Sequence, residues 1–314
     1  MSTEDWRLAL STILLPGLST FELSAWRIDH ADLSSVSTSP DTADILYFIG
    51  RHPSIKVLRL CRQMLENPTR LRPASLTGRP KLERSMRLLP HLEELRGSVK
   101  FVFDFLQRDS ELASPSTVFP KLKHIYMESG FVLKASYRFN LYNIKCLLHL
   151  IQDIRMAGGL ASVDELGIDC QTYGSSPQLT VLDLMVENLG HMSQSLNSPE
   201  TKFRFNGIQT HGSGDGPGPL SLSFIRSVTF SAAEWTPKNL LDYDAEESMK
   251  EIFRNINLLF PMATDLHFGL LGASGALRWD GLRRAIARMC PSVKRIHSDY
   301  SPKNKRVIDL DTYR

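Results

Sequence analysis

Cysteine is scarce and scattered. Cys61, Cys146, Cys170 and Cys290 are the only four, and no two form a Cys-x-x-Cys pair, which argues against a zinc ribbon, a thioredoxin-like motif or a dense disulfide scaffold. They read as reduced packing residues. Long apolar runs are missing too: none approaches the roughly 18 residues that span a bilayer. The apolar stretch Leu8 to Leu18 is preceded by Glu4 and Asp5 rather than by a basic region and is broken by Pro16, so it makes a poor signal peptide. Nor is there an excess of one charge. The 37 basic and 34 acidic residues leave +3, without the broad basic field of a nucleic-acid binder.

Catalytic motifs are equally thin. The glycines between His211 and Pro219 are interleaved with Pro217 and Pro219, whereas a phosphate-binding turn needs a strand before it and a helix directly after; the segment reads as a loop. Gly272-Ala273-Ser274-Gly275 places glycine immediately after serine, which is not the spacing of a nucleophile elbow. These absences point to an intracellular protein, cytoplasmic or nuclear, with no cofactor, no metal and no catalytic residues.

What the chain does have is a recurring phrase, clearest at Pro120 to Met127: proline, any, apolar, any, any, apolar, any, apolar. Its last position falls at residues 23, 60, 97, 127, 168, 205, 230, 268 and 298, with intervals of 25 to 41 that average about 34. Helical patterns separate most copies. Ile45, Leu46, Phe48 and Ile49 form one such pattern, with Asp41 able to cap it and Gly50 able to end it. Ile144, Leu147, Leu148, Ile151 and Ile154 form another, ended by Gly158-Gly159. Phe101 to Leu106 fits a short helix or a strand extension equally well. Gly97, where an apolar residue belongs, suggests a weak strand or a bulge.

One strand and one helix per period of this length is the pattern of an α/β solenoid. The expected architecture is a single right-handed, horseshoe-like domain over 1–300, with a parallel sheet of about nine strands on the concave face and helices on the convex face. Residues 301–314 read as a basic tail. A doubly wound α/β fold has the same alternation, but its strands, covered on both faces, should be nearly all apolar. Here Leu122, Ile125 and Met127 alternate with Lys123, His124 and Tyr126, so one open sheet face is expected.

The phrases Leu89-Pro90-His91-Leu92-Glu93-Glu94-Leu95, Phe119-Pro120-Lys121-Leu122 and Cys290-Pro291-Ser292-Val293-Lys294 resemble the divergent leucine-rich-repeat portions of fungal F-box proteins. The resemblance spans most of the chain. It implies a non-catalytic protein-recognition scaffold, like the substrate-binding half of a ubiquitin-ligase receptor. Such relatives carry an N-terminal F-box that docks on a cullin-type ligase; Met1 to Leu15 is too short for one, so cullin ligase components are expected as partners only if an F-box is supplied elsewhere.

Residues between the apolar positions should face outward. The middle position gives the row Glu22, Arg59, Arg96, Tyr126, Gly167, Arg204, Thr229, His267 and His297, rich in types favoured at interfaces. The partner-binding candidates are Arg59, Arg96, His124, Tyr126, Glu128, Arg204, His267 and His297. Solvated strand residues are the plainer reading of the same row. His267 and His297, with Asp265 and Asp299 on the same face, form the one group with catalytic or metal-binding potential, and a doubly wound enzyme using them is the alternative. Lys294, Arg295, Lys303, Lys305 and Arg306 make the C-terminal end basic, too few charges to argue for nucleic acid; membrane partners are not expected.

Overall fold

The computed structural model describes residues 3–23, 42–60, 89–112, 118–129, 137–170, 220–235, 253–271, 279–299 and 305–313. Every described copy of the phrase opens with a hydrogen-bonded four-residue turn. The backbone N–H groups of Leu18, Ile55, Leu92, Leu122, Val163, Ile225, Ala263 and Val293 each donate to the carbonyl three residues earlier, at 3.1 to 3.2 Å. Proline at the second turn position presets the φ angle that such a turn requires. In the first copy the third position is Gly17, at φ 79°, which only glycine adopts at little cost.

The residue that opens the turn, just before the proline where there is one, is a position that the phrase, as read from the sequence, leaves out. His52, Leu89, Phe119, Leu160, Leu222, Phe260 and Cys290 occupy it and are buried, whereas Leu15 in the first copy is exposed. Three of them, Leu89, Phe119 and Leu160, have positive φ, unfavourable for a residue with a side chain and held by the packing of that side chain.

The chain divides into two compact units, Met1–Gly130 with Asp153–Asp169, and Phe131–Gln152 with Cys170–Arg314. The first contains α1 (Thr3–Thr12), β1 (Thr20–Leu23), α2 (Thr42–Gly50), β2 (Val57–Leu60), β3 (Glu94–Ser98), α3 (Val99–Leu112), β4 (His124–Ser129) and β5 (Glu165–Cys170). Its strands lie in chain order. Phe21 pairs with Leu58, Leu58 with Leu95 and Leu95 with Ile125, all in parallel register. Leu58, Leu95, Ile125 and Leu166 are fully buried, so the apolar positions of the phrase line one face of the sheet.

Successive copies are stitched by single carbonyls that each accept two N–H groups. Ser19 O accepts from Lys56 and Val57, Lys56 O from Glu93 and Glu94, Glu93 O from Lys123 and His124, and Lys123 O from Asp164 and Glu165. Serines in the turns add to this: Ser54 donates to Leu18 O at 3.0 Å and Ser162 to Pro120 O at 2.7 Å.

Helix α4 (Tyr137–Met156) has its last turn in the first unit and stops at Gly158, φ 93°, as the sequence indicates. Gly50 differs: it is the last residue of α2 and has no positive φ. The ambiguous run at Phe101 is helical, part of α3.

The second unit contains β6 (Ser227–Trp235), a helical stretch at 253–259, β7 (Asp265–Leu271), α5 (Trp279–Met289), β8 (Arg295–Asp299), β9 (Lys305–Asp309) and a 3-10 turn, Asp311–Tyr313. Val228, Leu266 and Ile296 are paired in register and fully buried. The strand β9 corrects the reading of 301–314 as a tail. It runs antiparallel to β8, pairing Ile296 with Ile308 and His297 with Val307, and Leu310 beyond it is fully buried.

The described residues therefore form an α/β chain with nine strands in a mostly parallel sheet, in which β9 is antiparallel to β8. The count agrees with the expected number for a different reason: the copy at Phe203 and Phe205 lies outside the described residues, and β9 was not anticipated. The loop at 211–219 also lies outside them. No helix among the described residues is long and apolar enough to cross a membrane.

Candidate functional site

Strand alternation sends every second side chain away from the buried face. In the first unit this second face carries Glu22, Arg59, Arg96 and Tyr126 in one row, each aligned with the next across β1 to β4, and Gly167 occupies the corresponding position of β5. Except for the glycine, these residues are exposed or half-buried. The sheet is thus apolar on one side and polar on the other.

The polar side chains pair diagonally with those of the next strand. Arg59 places Nε 2.7 Å from Glu94 Oε1 and Nη2 3.1 Å from Glu94 Oε2, a two-pronged bond, while its Nη1 is 3.5 Å from Glu22. The hydrogen bond to Glu94 chiefly, opposed by some desolvation, raises the Arg59 pKa above its ordinary value. Arg96 Nε donates to Glu128 Oε1 at 2.8 Å. Glu128, expected to face outward, is buried, because its carboxylate folds onto that guanidinium.

Tyr126 donates its hydroxyl to Glu165 Oε1 at 2.5 Å. His124 Nδ1 lies 2.9 Å from Glu165 Oε2, an ion-pair distance without hydrogen-bond geometry. Burial first, then the hydrogen bond to Glu165 and the charges of Glu165 and Glu94, push the Tyr126 phenol well above its ordinary pKa, against the opposing effect of Arg96. Glycine at 167 makes room for this: a Cβ there would lie 2.0 Å from Tyr126 Cδ1.

In the second unit the polar face centres on Asp265. Arg295 brings Nε to 2.7 Å from Oδ1 and Nη2 to 3.0 Å from Oδ2. His297 Nε2 is 2.8 Å from Oδ1, and Thr264 Oγ1 donates to Oδ2 at 2.7 Å. Burial alone would raise the carboxyl's pKa, but the bonds from Arg295, His297 and Thr264 hold it down to about 2. His267 stacks on His297 with ring centroids 4.0 Å apart and planes 6° apart. A carboxylate committed to three donors orients His297.

The structure therefore brings together Arg59 with Glu94, Arg96 with Glu128, His124 with Tyr126 through Glu165, and His267 with His297 and Asp265. Arg204 lies outside the described residues, as does the side chain of Asp299, whose backbone pairs with Gly269. Among the described residues no group of three His, Cys, Asp or Glu could hold a metal ion. Sequence reading missed Glu94 and Glu165, the acidic partners that fix the row. Their signal was available: each opens its strand two residues before the row, on the same face by alternation. No protein-family model, no curated protein and no solved structure matches this chain.

Proposed function

We propose that the protein is a non-catalytic recognition scaffold, a leucine-rich-repeat-like solenoid that binds protein partners through the polar face of its sheet. The observation that carries this reading is the row Glu22, Arg59, Arg96 and Tyr126: one side chain per strand, in register, on a face left open to solvent. Arginine and tyrosine at fixed spacing on a rigid surface supply directional bonds and contact area with little entropy left to lose. By its sequence resemblance, the scaffold acts inside the cell as the substrate-binding part of an F-box ubiquitin-ligase receptor.

The test is affinity capture from a cell extract with the native chain and with an Arg59→Ala, Tyr126→Ala double variant. Proteins retained by the first and lost by the second support recognition through this face, and cullin-ligase subunits among the retained proteins support the receptor role. The same proteins on both baits would remove the face from consideration.

A second reading, an α/β enzyme built on His267, His297, Asp265 and Asp299, is favoured by the Asp265 to His297 bond of 2.8 Å. It predicts helices on both faces of the sheet or a deep pocket beside those side chains in a crystal structure; their absence would remove it.

A further inference from the structure

The charges on the open face of the first unit do not cancel. Among the described side chains of β1 to β5 it carries Glu22, Glu94, Glu128 and Glu165 against Arg59 and Arg96, four carboxylates to two guanidiniums, a balance of −2. The chain as a whole is +3, so this face is locally opposite in sign to the molecule. The excess sits at two places. Arg59 and Arg96 are committed to Glu94 and Glu128 at 2.7 and 2.8 Å. Glu22 is left with Arg59 at 3.5 Å and a side chain 51% exposed. Glu165 is held by the Tyr126 hydroxyl and lies beside the His124 ring, with no arginine bonded to it among the described residues of β1 to β5.

We infer that the partner of this face is an extended segment carrying two basic residues about six positions apart, one seated at Glu22 and the other at the Tyr126–Glu165 pair. The inference rests on the recognition reading above and deepens it. Its spacing follows from geometry. Glu22 on β1 and Glu165 on β5 are four strand intervals apart, and at about 4.8 Å per interval that is roughly 19 Å. An extended chain rising about 3.3 Å per residue covers this in about six residues. Residues six apart in a strand point to the same side, so both basic groups reach the sheet together. The Tyr126 end offers a carboxylate beside an aromatic ring, a combination that suits guanidinium through a charged bond and ring contact.

The test uses three seven-residue peptides of glycine and serine, labelled for fluorescence anisotropy: one with arginine at positions 1 and 7, one with arginine at positions 1 and 2, and one with glutamate at positions 1 and 7. The spaced arginine peptide is expected to bind several-fold tighter than the adjacent one, with affinity falling as salt rises, and the glutamate peptide should not bind. Glu22→Gln and Glu165→Gln should each weaken the spaced peptide about two- to fivefold, as for exposed ion pairs, while Asp309→Asn in the second unit leaves it unchanged. Equal binding of the two arginine peptides, absence of binding, or an equal loss with Asp309→Asn would overturn the inference. If capture still depends on Arg59 and Tyr126 while the peptides do not bind, the recognition reading stands and only the basic partner is wrong.

Discussion

The ring of Tyr126 stands where a side chain of residue 167 would be. A Cβ on Gly167 would lie 2.0 Å from Tyr126 Cδ1, 2.6 Å from Cε1 and 3.1 Å from Cγ, so no small movement of the ring tip relieves the overlap. The absence of a side chain on β5 is what allows the tyrosine on β4 to reach Glu165 on the next strand.

Gly167→Ala should therefore destabilise the fold by about 1–3 kcal/mol, the usual range for forcing atoms into a filled site. Urea unfolding measures it. In a Tyr126→Ala background the same change should cost much less, because the clash is with the ring and not with backbone; an undiminished cost in the double variant would show that the ring is not the obstacle.

Gly97 is a milder case of the same kind. A Cβ there would meet Phe101 Cδ1 at 2.9 Å, and the strand pairs with β4 through this position without a register shift, so the glycine marks no bulge against β4. It accommodates Phe101, which is buried. Gly97→Ala should cost about 1 kcal/mol, toward the low end for overpacking, less than Gly167→Ala when both are measured by urea unfolding, and pairing it with Phe101→Leu should recover part of the loss.

His52 is buried and uses both ring nitrogens. Nδ1 lies 2.7 Å from Phe48 O, and Nε2 accepts from the N–H of Leu15 at 2.9 Å. A carbonyl only accepts, so the proton is on Nδ1. His52→Leu would leave the Leu15 N–H without this acceptor and should destabilise by about 1–3 kcal/mol. Hydrogen exchange at Leu15 would rise in the variant more than at Leu92, whose turn N–H bonds to Leu89 O.

Asp265 links stability to acid pH. Its folded pKa of about 2 lies below the ordinary 3.8, so the unfolded state binds its proton first as pH falls. The contribution is complete above about pH 4 and is lost as pH drops through about 2. Its partner Arg295 has a side chain 56% exposed, and solvent screening reduces the effect to about 1 kcal/mol. Asp265→Asn should lower stability at pH 7 while flattening the pH dependence between about 4 and 2, measured by urea unfolding across that range.

Part of this molecule is readable along the chain. Periodic apolar residues select one sheet face because alternation leaves no other choice, and Leu58, Leu95, Ile125, Leu166, Val228, Leu266 and Ile296, all positions of the phrase, are fully buried. Proline before β1, β2, β3, β4, β7 and β8 announces a turn because its φ is fixed by its own ring. The strand β9 escaped because Lys305 and Arg306 gave its segment the composition of a tail, while Val307 and Ile308 alone carried the β-branched signal.

The sequence by itself determined where the turns and strands of the described phrase copies lie and which apolar face of each is buried, since those follow from neighbours a few residues apart. The tertiary structure decided what the exposed row is bonded to. Arg59 finds Glu94 and Tyr126 finds Glu165 across 35 and 39 residues, and Tyr126 needs a glycine on the adjacent strand. Those relationships depend on strand register and side-chain reach, which arise only when separate copies of the phrase are laid side by side.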